Sequence, residues 1–296
     1  MEEQSLIVFT YKYHFGGFGD FWRSFLSFLS FAKRNHIQLC VDISENPHFQ
    51  GCFSLPDSNI SSTPVITMES SEGIVDQDKY KDLSTTMIEN PAVYKITSNE
   101  VGFENVENMR TVWDDFIRIV QPSNKVVLVV HEMEQKYNLK FQSYTSVHIR
   151  CGDAHMEENK TSTSSSAYFD NRISNRETFH RDIHHAIQSQ NITGPIVFHT
   201  DSEKLKSEMK KHFPEEYILL DVSIQHVANN IGENNDRSYI STAAEFFLMS
   251  RASKILSLFH YSGFAHMASI VGKTPFYVNY KDRHLDVLDM GNIHYF

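Results

Sequence analysis

The sequence predicts an α/β protein built from two Rossmann-like units with parallel sheets, and three observations predict it. Short β-rich apolar runs alternate with segments of helical period, which implies parallel sheets covered by helices on both faces. The first such run meets a glycine loop and then a helix, the opening half of a βαβ unit, and the second half of the chain repeats that kind of pattern. Finally, 296 residues exceed the roughly 100 to 200 that one ordinary domain uses. We divide the chain at about residue 140, giving units of residues 1–140 and 141–296.

The elements follow in order. Residues 6–11 form the first strand, broken by Gly16, Gly17 and Gly19. A helix follows from Asp20, its expected N-cap. Phe21, Trp22, Phe25, Leu26, Phe28, Leu29 and Ala32 fill its apolar face, whereas Arg23, Ser27, Ser30 and Arg34 recur on the other side. Residues 37–43 read as the second strand. From 46 to 108 the signal weakens into polar stretches with Pro47, Pro56, Pro64 and Pro91, leaving short candidate strands at 64–68 and 92–97 whose order the pattern leaves open. Pro122 with Val126, Val127, Val130, Met133 and Tyr137 has the spacing of a helix with proline in its first turn.

The second half begins with a strand at 143–150. A polar insert at 155–174 contains six consecutive Ser and Thr residues from Thr161 to Ser166 and is expected to be a mobile loop, having too little apolar surface to order itself. Then come a helix (176–190), a strand (195–200), a helix (201–212), a strand (217–221), a helix (241–251), a strand (254–259), a helix (262–271) and a strand (275–279).

Composition narrows the function classes. The chain is 41% hydrophobic and 12% aromatic, enough for sizeable cores. With 27 basic against 37 acidic residues the net charge is −10, which argues against nucleic-acid binding, because a polyanion binder needs a basic face. Apolar stretches such as 246–249 and 255–259 fall far short of the ~20 residues that cross a bilayer. The N-terminal sequence has no secretory signal pattern, so a cytoplasmic location is expected and the sequons at Asn59, Asn159 and Asn191 carry little weight. Cys40, Cys52 and Cys151 are too few and scattered for a disulfide framework or a zinc cluster.

Several stretches carry chemistry. His148-Ile149-Arg150-Cys151-Gly152-Asp153 ends a strand in polar residues, where open α/β sheets bind ligands. Arg150 offers a fixed fork of donors for phosphate oxygens, or else a strand-end ion pair with Asp153. Gly16-Gly17-Phe18-Gly19 precedes a helix N-terminus suited to an anion, but Trp22 breaks the full dinucleotide fingerprint and a plain tight turn reads as well. Ser262 and Gly263 sit where another helix begins, and Ser262 caps it or donates to a phosphate. Asp76-Gln77-Asp78 has the form of a divalent-cation pair, although Lys79 and Lys81 beside it favour a solvated turn. His180 and His184 stand one helical turn apart, a spacing able to grip a metal, but no H-E-x-x-H accompanies them and no metal is expected. There is no nucleophile elbow and no P-loop.

Taken in order, these stretches resemble the fucosyltransferase superfamily of GT-B glycosyltransferases. Gly17-Phe18-Gly19-Asp20 with its helix and strand is similar to the family's N-terminal loop, His148-Ile149-Arg150 to its H-x-R motif, and Phe198-His199-Thr200-Asp201 to its strand ending in T-D. The segment from Glu245 to Ala268 resembles the family's acidic residue, apolar helix, strand and Ser-rich turn. Cys151 stands where relatives usually place a second arginine, and His260-Tyr261-Ser262 is one residue longer than the α1,6 pattern.

The resemblance implies two facing Rossmann-like domains, the first mainly for a glycan acceptor and the second for a GDP-sugar. It implies an inverting, metal-independent transfer of L-fucose from GDP-fucose to a glycan hydroxyl, with no cofactor. Arg150 would hold the β-phosphate, with His148 and Asp201 at the nucleotide. Ser262, Gly263 and Phe264 would lie at the pyrophosphate, with Gly17 and Gly19 opposite. Glu245 would accept from guanine. Candidates for removing the acceptor proton are His155, Glu157 and Glu158 in the insert, with Asp153 nearer the phosphates. The alternatives are another hexosyl or deoxyhexosyl transferase using Asp76 and Asp78 with a metal, and an inactive relative that binds nucleotide or glycan.

Overall fold

The structure, a computed structural model, describes residues 5–10, 17–44, 47–55, 65–69, 83–97, 105–151, 178–222, 236–279 and 288–296. The chain forms two compact units: Met1–Val126 with Val227–Ile240 and Asp282–Gly291, and Val127–His226 with Ser241–Lys281 and Asn292–Phe296. Both are α/β with wholly parallel sheets, as the alternating pattern predicts.

The first unit opens with β1 (Leu6–Thr10), α1 (Phe18–Arg34), β2 (Gln38–Asp42) and α2 (Pro47–Gln50). It continues with β3 (Val65–Glu69), α3 (Leu83–Glu89), β4 (Val93–Thr97), α4 (Val106–Thr111) and α5 (Trp113–Ile119). The sheet order β2-β1-β4-β3 places β4 inside and β3 at an edge, settling the order the pattern left open. Position follows burial: Val93, Tyr94 and Ile96 are buried, whereas Ile66 of β3 is exposed.

Helix α1 is the spine of this unit. Phe9 of β1 lies within 5.2–5.8 Å, ring to ring, of Phe21, Phe25 and Phe28. Trp22 packs edge-on against Phe53 and Phe116. The side of α1 that carries Arg23, Ser27 and Ser30 is not a solvated face, because all three are buried and Ser27 donates to the sulfur of Met109 on α4. The weakly patterned segment supplied the helices that cover it. Only the last turn emerges, and there Lys33 pairs with Asp115 of α5 at 2.7 Å.

Helix α6 (Asn124–Lys136) starts two residues after Pro122, which instead forms a single bridge with Phe53. The Ser123 hydroxyl donates to the Gly51 carbonyl and accepts from the Val126 N–H.

The second unit holds β5 (Thr145–Ile149), α7 (Phe179–Gln188), β6 (Ile196–Thr200), α8 (Glu203–His212) and β7 (Ile218–Leu219). After these come α9 (Asp236–Ser250), β8 (Lys254–Ser257), α10 (Gly263–Gly272), β9 (Phe276–Val278) and β10 (Ile293–Tyr295). Strand order is β10-β9-β8-β5-β6-β7. Central β5 is buried along its whole length, as expected of a parallel strand covered on both faces. Val147 and Ile149 join Phe198, Leu256 and Leu258 from neighbouring strand segments, closed by Ile183 and Ile187 of α7 and Leu205 and Met209 of α8. Helix α9 begins five residues before the expected start, and edge strand β10, too short and exposed to show a pattern, is an addition. The polar insert at 155–174 lies outside the described residues. Among the described residues no helix is long and apolar enough to cross a membrane.

Gly272 brings the end of α10 against the end of α9. A Cβ there would stand 1.8 Å from the Ser250 carbonyl oxygen at the end of α9, which also accepts from the Thr274 hydroxyl at 2.9 Å. Backbone cannot yield as a flexible side chain does, so Gly272→Ala should lose about 1–3 kcal/mol of stability by overpacking. Urea unfolding measures this, and an unchanged midpoint would show that the two helix ends separate freely.

Candidate functional site

Strands β5 and β6 pair in register from Thr145 with Ile196 to Ile149 with Thr200, so the next residues, Arg150 and Asp201, leave the sheet side by side. Their side chains meet with Arg150 Nη1 2.5 Å from Asp201 Oδ2. The other carboxylate oxygen, Oδ1, accepts the Cys151 N–H at 2.6 Å. One carboxylate thereby fixes both the guanidinium and the backbone beyond it. With 17% and 10% of the two side chains exposed, the pair is largely withdrawn from water yet open at its rim. Asp201 is a carboxylate on Arg150 that the sequence pattern does not single out. Asp153, His155, Glu157 and Glu158 lie outside the described residues, as do Asp76 and Asp78.

Cys151, the departure from the family's arginine, is buried, with its sulfur 3.6 Å from the Thr200 hydroxyl. Burial first, and then the Asp201 charge, push its thiol up to about 12, so it is neutral and unreactive at physiological pH. Ser202, buried next to Asp201, caps α8 by accepting the Leu205 N–H.

On the other side of β5 lies β8, whose chain turns sharply into α10. Phe259 takes a left-handed φ of 68°, a conformation that costs a non-glycine residue about 1–3 kcal/mol. The turn is held by the Phe259 N–H donating to Asn279 Oδ1 at 3.1 Å and by the Ser257 hydroxyl donating to the His260 carbonyl at 2.9 Å. It delivers Ser262 to the N-cap of α10, where its hydroxyl oxygen accepts the Ala265 N–H at 3.3 Å. A hydroxyl that accepts in this way keeps its own hydrogen to donate, so capping and anion binding are compatible roles. Gly263 opens α10, and the Phe264 ring stands 6.0 Å from His148 of β5 and edge-on to Phe246 of α9.

Glu245, one residue before Phe246, faces His199 of β6, with Oε1 3.7 Å from Nδ1. His199 Nε2 in turn meets the Ser146 hydroxyl of β5 at 3.3 Å. Ser146, His199 and the partly exposed Glu245 thus stand in a row that the sequence pattern does not show as a unit. Alternation along β5 and β6, which puts Ser146 and His199 on neighbouring strands, is the only signal that could have suggested it.

In the first unit Gly17, not Asp20, is the N-cap of α1. Asp20 sits a turn inside and accepts the Gly17 N–H at 3.3 Å, while pairing with Arg23 at 3.0 Å. Gly17 has extended backbone open to any residue, and a Cβ there would meet open space. Gly19 lies buried in the first helical turn. His180 and His184 do not share a ligand: His184 Nδ1 meets the Tyr217 hydroxyl at 2.7 Å and its ring stacks on Phe213.

The structure therefore gathers His148, Ser262, Gly263 and Phe264 around the β5–β8 end and Arg150 with Asp201 at the β5–β6 end. These are the carboxyl ends of adjacent parallel strands, where α/β sheets present ligands.

Comparison with known proteins agrees with this architecture. A fucosyltransferase NodZ from Bradyrhizobium is 14% identical, covering 92% of this chain and 94% of its own, with a TM-score of 0.60. A mutant of FUT1 from Arabidopsis thaliana in complex with GDP is 14% identical over 95% of this chain and 71% of its own, with a TM-score of 0.59. POFUT1 in complex with GDP-fucose is 13% identical over 93% of this chain and 95% of its own, with a TM-score of 0.52. No protein-family model and no curated protein sequence matches. The fold is thus similar to that of fucosyltransferases, as the motif order implies.

The Asp201 bridge makes a direct prediction. Asp201 ties the largely buried Arg150 to the Cys151 backbone, so removing its charge in Asp201→Asn should destabilise the chain by about 3 kcal/mol. Adding Arg150→Met should recover part of that loss. Chemical unfolding of the single and double variants checks this; strictly additive losses would contradict the bridge.

Proposed function

We propose that this chain is an inverting glycosyltransferase that moves L-fucose from GDP-fucose to a hydroxyl of a glycan, with no metal at the reaction centre. The observation that carries the proposal is Arg150, fixed by Asp201 at the carboxyl end of the central strand, on a fold similar to that of structures solved with GDP or GDP-fucose.

The chemistry follows from where charge develops. As the bond from the sugar to the β-phosphate oxygen breaks, negative charge grows on the departing GDP. Preoriented donors stabilise that charge more than they stabilise the intact donor. Arg150 supplies a permanent cation with several N–H groups, the role a divalent ion plays elsewhere. The Ser262 hydroxyl and the N–H groups at the start of α10 supply further donors, and the helix dipole has the right sign for an anion. Glu245 accepts from the guanine edge, and the His148 and Phe264 rings line the nucleotide. The acceptor hydroxyl attacks C1 from the face opposite GDP and loses its proton to a base, for which His155, Glu157, Glu158 and Asp153 are the candidates.

One observation favours a second reading. A neutral, buried Cys151 gives the site one cation fewer than the family pattern, which suits a protein that binds nucleotide without turning it over. Turnover separates the two.

In a thermal-shift comparison GDP should protect the chain while UDP and CMP do not, by about 2.7 kcal/mol at a hundred times its dissociation constant. Protection should vanish in Arg150→Ala. Fucose transfer to a glycan panel should persist in excess EDTA. UDP preference would refute the Glu245 assignment, loss of turnover in EDTA would refute the metal-free mechanism, and protection without transfer would select the second reading.

A further inference from the structure

Away from the strand ends, three side chains with metal-ligand chemistry converge where α7 and α8 meet within the second unit. His180, near the start of α7, stacks on His212 in the last turn of α8, with ring centroids 4.3 Å apart and planes 12° apart. Glu208, one turn before His212, brings Oε2 to 3.3 Å from His212 Nε2. One ligand atom from each residue lies within 4.8 Å of the other two. His180 is only 6% exposed, and its Nε2 has no hydrogen-bond partner. A buried polar atom left unpaired is costly and rare in a folded protein.

The surroundings suit a cation of intermediate softness. Two imidazoles and a carboxylate are ligands that zinc accepts, and three protein ligands leave a fourth position for water. That position is available, since Glu208 and His212 are a little over one-third exposed. Burial, followed by the proximity of His212, holds the His180 imidazole below its ordinary range, so it is neutral and offers a lone pair at physiological pH. Arg181 and Lys211 are the cationic neighbours acting on it, opposed by Glu208, and they restrain affinity without occupying the ligand atoms.

The two rings start face to face. Closing on an ion requires rotation about the Cβ–Cγ bonds, torsions that are broad for histidine. The ligand atoms must also draw in to about 3.4 Å apart, the edge of a tetrahedron with bonds of about 2.0–2.1 Å. We infer that His180, Glu208 and His212 form a binding site for a divalent transition metal of the zinc class, joining the end of α8 to the start of α7. The site stands apart from the transferase proposal and does not rest on it. The sequence contained half of it: His180 is one of the helical pair, but its partners are Glu208 and His212 rather than His184.

The test is calorimetric titration of zinc alone into the EDTA-treated full chain at pH 7.5, with a melting curve at each stoichiometry. We expect one equivalent to bind more tightly than any binding by the other histidines and to raise the melting temperature. Glu208→Gln and His212→Ala, both at partly exposed positions, should each weaken that equivalent at least tenfold and abolish the thermal shift. Cobalt(II) should give the visible absorption of a tetrahedral site, absent from both variants. Binding should weaken toward pH 5.5, because the imidazoles must shed protons to ligate. Absence of a stoichiometric equivalent, or binding undiminished in both variants, overturns the site. Neither variant should change the response to GDP, which keeps this outcome separate from the transferase reading.

Discussion

The second unit turns on one carboxylate. Asp201 holds Arg150 through one oxygen and the Cys151 N–H through the other, tying together the ends of two neighbouring strands. Both side chains are largely withdrawn from water, so the guanidinium gains by standing against the carboxylate. Asp201 in turn is placed by the parallel register of β5 with β6 and by the Ser202 cap that follows it. Regular backbone pairing thus becomes a fixed cation at the sheet's carboxyl end.

The turn after β8 complements this with backbone strain. Phe259 accepts a left-handed conformation so that Ser262 can stand at the head of α10, and Asn279 and Ser257 supply the hydrogen bonds that hold it there. The two devices differ in kind. One relies on charge in a partly dry setting, the other on a strained loop pinned by side chains. Both place donors at the ends of adjoining strands while their helices bury the apolar mass behind them, which is why the core and the candidate site are parts of one construction.

Most of the architecture was legible because parallel strands buried on both faces leave apolar runs, as β1, β6 and β8 do. The motif order from Gly17 through Arg150 and Asp201 to Ser262 carried the resemblance to fucosyltransferases. Legibility failed where local pattern and tertiary setting part company. Arg23, Ser27 and Ser30 look like a wet helix face but are buried, and α4, which meets Ser27 through Met109, has only six residues, too few to show a period. Asp20 looks like a cap because its residue type favours one, yet Gly17 occupies that position and Asp20 reaches back to it. Strand pairing sets Arg150 beside Asp201, a residue far away in sequence that no local pattern connects to it. Strand pairing likewise brings Ser146 to His199, whereas helix packing brings Glu245 to His199 and His180 to Glu208 and His212.

The claim at the centre of this account is that Arg150 binds the terminal phosphate of a guanosine diphosphate. Calorimetric affinities of GDP and GMP for the native chain and for Arg150→Ala, measured as a four-way cycle, test it most directly. GDP should bind native protein at least tenfold more tightly than GMP, about 1.4 kcal/mol or more, and the variant should bind the two alike. Equal loss of GDP and GMP affinity in the variant, or a GDP preference that survives it, would contradict the account.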